Sequence, residues 1–202
     1  IFIVHKIVIT LYIIFFLFAC NNNSKSHTDK VHKSHKMEDM NSNLKETLSP
    51  RKYAMNMIGD AHIHIDYSSP SVRGRIIFGG LLAMGEVWQS GAHYATWLET
   101  NKDLLIENNL IKAGKYGFFT IPNKDNWTVI LNKNWKQHGK DEYDEKDDVL
   151  RFEVKPKFSE EITEQLIYRV KKVNGSQGTI SLSWEKITIS FPFSISRYEE
   201  AF

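Results

Sequence analysis

Apolar and polar residues alternate with period two in several stretches of the chain. Ile180, Leu182 and Trp184 fall on one side of an extended backbone, with Thr179, Ser181 and Ser183 on the other, which predicts a half-buried strand. Ile187, Ile189, Phe191, Phe193 and Ile195 then alternate with Thr188, Ser190, Pro192 and Ser194, leaving Glu185-Lys186 as either a turn or a bend. Pro192 lacks an N–H for a ladder, so it predicts an edge position. The same period sets Ile63, Ile65 and Tyr67 against His62, His64 and Asp66. It sets Trp127, Val129 and Leu131 against Thr128, Ile130 and Asn132, and Leu166, Tyr168 and Val170 against Gln165, Ile167 and Arg169. More continuous strands are predicted over 116–121 and 149–154. Turn dipeptides fall between the strands at Ser69-Pro70, Gly79-Gly80, Ala113-Gly114 and Asn174-Gly175, with a Pro-Asn-Lys-Asp turn at 122–125. The only helix this pattern admits is a short one over 80–87. Short strands punctuated this way predict an all-β fold, an antiparallel β-sandwich or jelly-roll-like single domain over 47–202.

The pattern changes abruptly before that domain. Residues 7–19 hold only Thr10 and Tyr12 as polar groups, behind the single charge of Lys6. Thirteen residues of helix cover about 20 Å, short of the roughly 30 Å of a bilayer core, so the run fits a cleaved signal peptide over 1–19 rather than a spanning helix. It ends Leu17-Phe18-Ala19-Cys20, which resembles a lipobox, with a small residue before the chain's one cysteine. The expectation is a lipoprotein attached at Cys20, outside the cytoplasm on the periplasmic or outer-membrane surface. Several acyl chains on one residue hold firmly, because each buried methylene contributes about 0.8 kcal/mol.

Residues 20–46 are rich in Asn, Ser, Lys and His, with Val31, Met37, Met40 and Leu44 as the large apolar residues after Cys20. No core can form from so few, and a disordered tether is expected. His27, His32, His35, Met37 and Met40 give it imidazoles and thioethers suited to Cu, Ni or Zn. The same composition also serves as a plain solvated linker.

Charge changes the picture mainly by exclusion. With 26 Lys+Arg against 24 Asp+Glu, the chain lacks the clustered basic charge of a nucleic-acid groove, and a nucleic-acid partner is not expected. Six acidic residues lie in the eight of 141–148, but no glycine occupies the sharp turn a calcium loop needs, so a solvated acidic loop is expected. Ser90 sits in Trp-Gln-Ser-Gly rather than Gly-x-Ser-x-Gly, and Cys20 lies in the leader, so serine and cysteine hydrolase signatures are absent. Paired carboxylates for sugar hydrolysis would depend on the fold rather than on spacing.

Several ordered motifs carry a resemblance. Tyr67-Ser68-Ser69-Pro70-Ser71-Val72-Arg73-Gly74-Arg75 leads into Ile76-Ile77-Phe78-Gly79-Gly80-Leu81, and Gly85-Glu86-Val87-Trp88-Gln89-Ser90-Gly91-Ala92-His93-Tyr94-Ala95-Thr96 follows. With Ala113-Gly114-Lys115-Tyr116, Thr120-Ile121-Pro122 and Trp127-Thr128-Val129-Ile130-Leu131-Asn132, the chain from about Leu48 to Ile195 resembles the family called domain of unknown function 2911. The resemblance implies a secreted or lipid-anchored bacterial protein and supplies no chemistry. Where the family carries Arg-Thr-Gly-Ala-Asn after its tryptophan, this chain has Gln89-Ser90-Gly91-Ala92-His93.

Two sets of candidate site residues follow. His62, His64 and Asp66 share one strand face about 7 Å apart, as a His-x-His metal site requires, and would need a further ligand such as His93. An exposed polar strand face explains the same residues. Tyr67, Arg73, Arg75, Trp88 and His93 are candidates for holding a small molecule or a protein segment, with guanidinium groups to clamp an anion and an indole to stack on a ring. Against this, the arginines can serve as structural donors and Trp88 as a core residue. A non-enzymatic binding module asks least of these residues, and an envelope protein binding Cu, Ni or Zn, or a metal-dependent enzyme, is the alternative.

Overall fold

The structure, a computed structural model, describes residues 47–196. The expected leader, Cys20 and the tether residues His27, His32, His35, Met37 and Met40 lie outside the described residues.

Ten strands follow in chain order: β1 (Arg51–Ile58), β2 (Ala61–Ser68), β3 (Thr96–Thr100), β4 (Leu104–Ile106), β5 (Asn109–Ile111), β6 (Gly114–Ile121), β7 (Trp127–Asn132), β8 (Asp148–Val154), β9 (Lys157–Lys172) and β10 (Gln177–Ile195). All pair antiparallel. One sheet has the order β1-β2-β3-β6-β7-β8 and the other β5-β4-β10-β9. The expected all-β sandwich is the observed fold, and no α-helix occurs among the described residues.

The alternating residues build the interface between the sheets. Ile63, Ile65, Leu98, Phe118, Val129 and Leu131 from the larger sheet share one buried cluster with Leu166, Tyr168, Ile180, Leu182, Trp184 and Phe191 from the smaller. Aromatic rings cross the gap: Tyr67 meets Tyr168 at 4.7 Å and Phe118 stacks with Phe191 at 6.2 Å, measured between ring centres. Burying each such side chain contributes about 1.5–3 kcal/mol, and edge-on and offset ring pairs add to that.

Glu185 resolves the ambiguity in the last long stretch. β10 runs unbroken through it, but Glu185 adopts a φ of 54° and the pairing with β9 shifts register on both sides, a bulge that bends the strand. Pro192 does not lie on an outermost strand, because β10 sits between β4 and β9. It is tolerated because β10 pairs with β9 over 178–188 and with β4 only at 194–195, so Pro192 falls outside both ladders.

The short helix expected over 80–87 does not form. Gly79 and Gly85 hold φ of 84° and 78°, and the segment is a chain of turns in which Leu82 N–H donates to the Ile77 carbonyl at 2.8 Å and Gly85 N–H to Pro122 at 2.9 Å. Trp88 is then drawn into a short ladder with Thr120, its N–H and carbonyl both bonded at 2.8 and 2.9 Å. Extended pairing at one end and left-handed glycines within leave no room for a helical turn.

Candidate functional site

The segment between β2 and β3 is the largest departure from regular sheet, and its shape is set by Ser90. This serine is fully buried at a φ of 53°, its hydroxyl 2.9 Å from Thr120 Oγ1. Its carbonyl accepts from Thr96 Oγ1 at 3.0 Å and from the Tyr168 hydroxyl at 2.8 Å. Gly91 is required next to it, because a Cβ there would stand 2.7 Å from Thr96 Oγ1 and 3.3 Å from the Ser68 carbonyl. With its hydroxyl occupied and its surface buried, Ser90 is a structural hinge and not an exposed nucleophile.

Trp88 enters the core at this turn. Its ring stacks on Trp184 at 5.7 Å with 23° between planes, Phe78 packs edge-on to both, and its indole N–H donates to the Gly91 carbonyl at 2.9 Å. The stacked pair lines an open cleft of about 280 Å³ together with Pro70, Leu81, Leu82, Gln89, Gly91, Ala92 and His93. Leu81 is half exposed. His93 holds a φ of 60°, fixed by the 2.6 Å bond from Gly139 N–H to its carbonyl.

The five binding candidates are therefore divided. Trp88 and His93 share the cleft. Arg73 lines a separate 190 Å³ depression with Leu48, Ser71 and Gln165; its guanidinium donates to the Leu48 carbonyl, and its backbone N–H to Glu164 Oε1 at 2.9 Å. Arg75 donates to the carbonyls of Val72 at 3.0 Å and Ser71 at 2.7 Å, closing its own loop. Tyr67 is buried; its hydroxyl accepts from Tyr168 N–H at 3.3 Å, and burial raises its pKa above the usual phenol range. The two guanidinium groups thus serve backbone carbonyls and do not converge on a shared anion position.

His62, His64 and Asp66 do share the outer face of β2, alternating with buried Ile63, Ile65 and Tyr67. Asp66 is ion-paired with Arg51 on β1. His93 belongs to the other cleft, and among the described residues no group of three or more His, Cys, Asp or Glu side chains is placed to hold a metal ion. The reason is geometric: one strand offers its face in a row, and the neighbouring strand β3 presents Trp97 and an ion-paired Glu99 there.

The acidic stretch of 141–148 is less solvated than its composition suggests. Asp148 opens β8 with its carboxylate accepting from Asn132 Nδ2 at 2.7 Å and from the Tyr143 hydroxyl at 2.8 Å. Burial raises its pKa, opposed by those two hydrogen bonds and by Arg151.

Sequence periodicity identified neither Leu81 nor Trp184 as cleft residues, since one lies in a run of turns and the other reads as an inward strand position. Among the described residues no helix is long and apolar enough to cross a membrane. No curated protein and no solved structure matches the chain. A family model described as Protein of unknown function (DUF2911) matches residues 49–193, the span that contains every strand described above but the last two residues of β10. On that match, the chain belongs to the DUF2911 family.

Proposed function

We propose that the chain is a lipid-anchored module of the cell envelope that binds a small, largely apolar ligand without transforming it. The observation that carries the reading is the cleft lined by Trp88 and Trp184: stacked indoles, half-exposed Leu81 and partly buried Leu82 beside them, and the polar side chains of Gln89 and His93. Apolar walls with a few polar groups are the usual make-up of small-molecule sites, and about 300 Å³ is the lower end of their size range. The polar side chains select orientation, while the apolar ones supply most of the affinity. The apolar leader and Cys20 support a site held outside the cytoplasm. No nucleophile paired to a base lines the cleft, which favours binding over covalent chemistry.

A fluorescence titration tests the cleft. The amphiphilic aromatic anion 1-anilinonaphthalene-8-sulfonate should bind saturably and perturb tryptophan emission, and Leu81→Glu should abolish saturation while leaving the unfolding midpoint unchanged. Uptake that never saturates, or that is indifferent to Leu81→Glu, would remove the cleft from the proposal. The anchor is tested separately: Cys20→Ser should move the protein from the membrane fraction to the soluble one, and unaltered partition counts against lipidation.

A further inference from the structure

The hairpin of β1 and β2 carries four soft or borderline donors on one face. Met55 and Met57 alternate outward on β1, 51% and 46% exposed, while Ile58 at the end of the strand is buried. Across the two-residue turn Gly59-Asp60, Met57 lies directly opposite His62 and Met55 directly opposite His64. Directly opposed residues on one sheet face have Cβ atoms about 5 Å apart, and neighbours along a strand face are about 7 Å apart. Two thioethers and two imidazoles thus stem from the corners of a small rectangle on the sheet face.

The imidazoles are held without being used. His64 is clamped between Tyr53, at 5.5 Å and 17°, and Trp97, at 5.1 Å and 13°; its Nε2 is buried with no hydrogen-bond partner. The His62 ring lies 5.9 Å from it. Among the described residues neither ring makes a hydrogen bond. A buried imidazole nitrogen without a partner is costly and calls for an occupant. The nearby charges are already balanced, Asp66 by Arg51 and Glu99 by Lys115 at 3.2 Å. That leaves neutral donors. Hard cations such as Mg²⁺ and Ca²⁺ need oxygen ligands, whereas thioether sulfur with imidazole suits a soft monovalent ion.

We propose that the outer face of this hairpin is a site for Cu(I) or Ag(I), ligated by the thioether sulfurs of Met55 and Met57 and by imidazole nitrogen from His62 and His64. The site is separate from the Trp88 cleft and does not depend on it. It also gives a role to two thioether side chains that stand about half exposed on a sheet face.

Silver provides a redox-inert probe. The full chain, labelled at its methionine ε-methyl groups, is titrated with Ag(I) in chloride-free buffer, and the resonances of its five methionines are followed. Met55 and Met57 should shift together and reach their limit at one equivalent. Met55→Leu with Met57→Leu keeps side-chain volume and should leave the unfolding midpoint unchanged. Competition against a chelator should show its affinity reduced by more than the about tenfold that loss of a supporting group alone costs a metal site. Shifts confined to Met37, Met40 or Met84, no shift at any methionine, or equal affinity in the double variant overturns the proposal. The wild-type methyl shifts decide the question even if the double variant does not fold.

Discussion

The hydroxyl of Tyr168 donates to the carbonyl of Ser90 at 2.8 Å, so a residue of the four-stranded sheet holds the buried left-handed turn that leads into the six-stranded one. The same ring packs on Tyr67 and edge-on to Phe118, so its position is fixed from both sheets. Tyr168→Phe keeps those ring contacts and removes one buried hydrogen bond. The Ser90 carbonyl retains the bond from Thr96, so the cost should sit near 1 kcal/mol. It should appear as a lower urea midpoint with an unchanged slope of the transition.

Alkaline pH should destabilise the fold through the same residue. Burial pushes the Tyr168 phenol well above its ordinary value of 10.0, and Tyr67 is raised by burial as well. Above that ordinary value the unfolded chain releases a proton that the folded chain keeps, so stability present below it is lost as pH rises. The slope is about 1.4 kcal/mol per pH unit for each proton so retained. Urea midpoints measured from about pH 9 to about pH 11 should fall, and Tyr168→Phe should make the fall shallower. Equal slopes in the two proteins would show that Tyr168 ionises as freely folded as unfolded.

The strands that alternation revealed are those whose inward residues are large and whose outward residues are polar. β2 and β10 meet that condition, and their inward residues Ile63 and Leu182 are buried; β7 and β9 show the inward half of it in Val129 and Tyr168, but carry Ile130 and Ile167 on the other face, Ile130 buried in a small second cluster with Ala95 and Phe119. β1 does not, because Tyr53, Met55 and Met57 point to solvent while Ala54 and Asn56 are partly covered, which inverts the apolar pattern. β4 and β5 are three residues each, too short for any period to show. In the site, Trp88 and His93 came together because only four residues of one loop separate them. Trp184 and Leu81 joined them only because turns at Gly79 and Gly85 fold that segment over β10, and such tertiary packing leaves no periodic trace. Arg73 and Arg75 read as an anion clamp by chemistry alone, while their loop carbonyls lay closer to hand.

Two glycines should respond oppositely to alanine. Gly117 on β6 lies opposite Trp97, and a Cβ there would stand 2.7 Å from the Phe119 ring, 3.2 Å from the Asn134 carbonyl and 3.3 Å from Trp135 Cα. Backbone atoms cannot swing aside as a side-chain tip can, so Gly117→Ala should cost about 1–3 kcal/mol. Gly175, in the turn between β9 and β10, meets nothing within 4 Å. Its φ is not positive, so Gly175→Ala should be neutral or stabilise by up to about 1 kcal/mol through the unfolded chain. Thermal unfolding of both variants checks the contrast, and equal effects would argue against the close packing under Trp135.

Asp148 sets an acid-side dependence of opposite origin to an ordinary surface carboxylate. Burial lifts its pKa above the usual 3.8, with the Asn132 and Tyr143 hydrogen bonds and Arg151 only partly opposing it. The folded state therefore holds the proton more tightly than the unfolded one. Stability from this group is fully present below 3.8 and is lost as pH rises through the folded pKa. Asp148→Asn has no proton to lose, and its amide can still accept from Asn132 and donate to the Tyr143 oxygen. The stability of wild type relative to this variant should fall between about pH 4 and about pH 7, read as the difference between their urea midpoints. Tyr143→Phe removes a donor to the carboxylate and should enlarge the fall seen in wild type. A difference that grows with pH would mean that the Asn132, Tyr143 and Arg151 contacts outweigh burial and hold Asp148 charged.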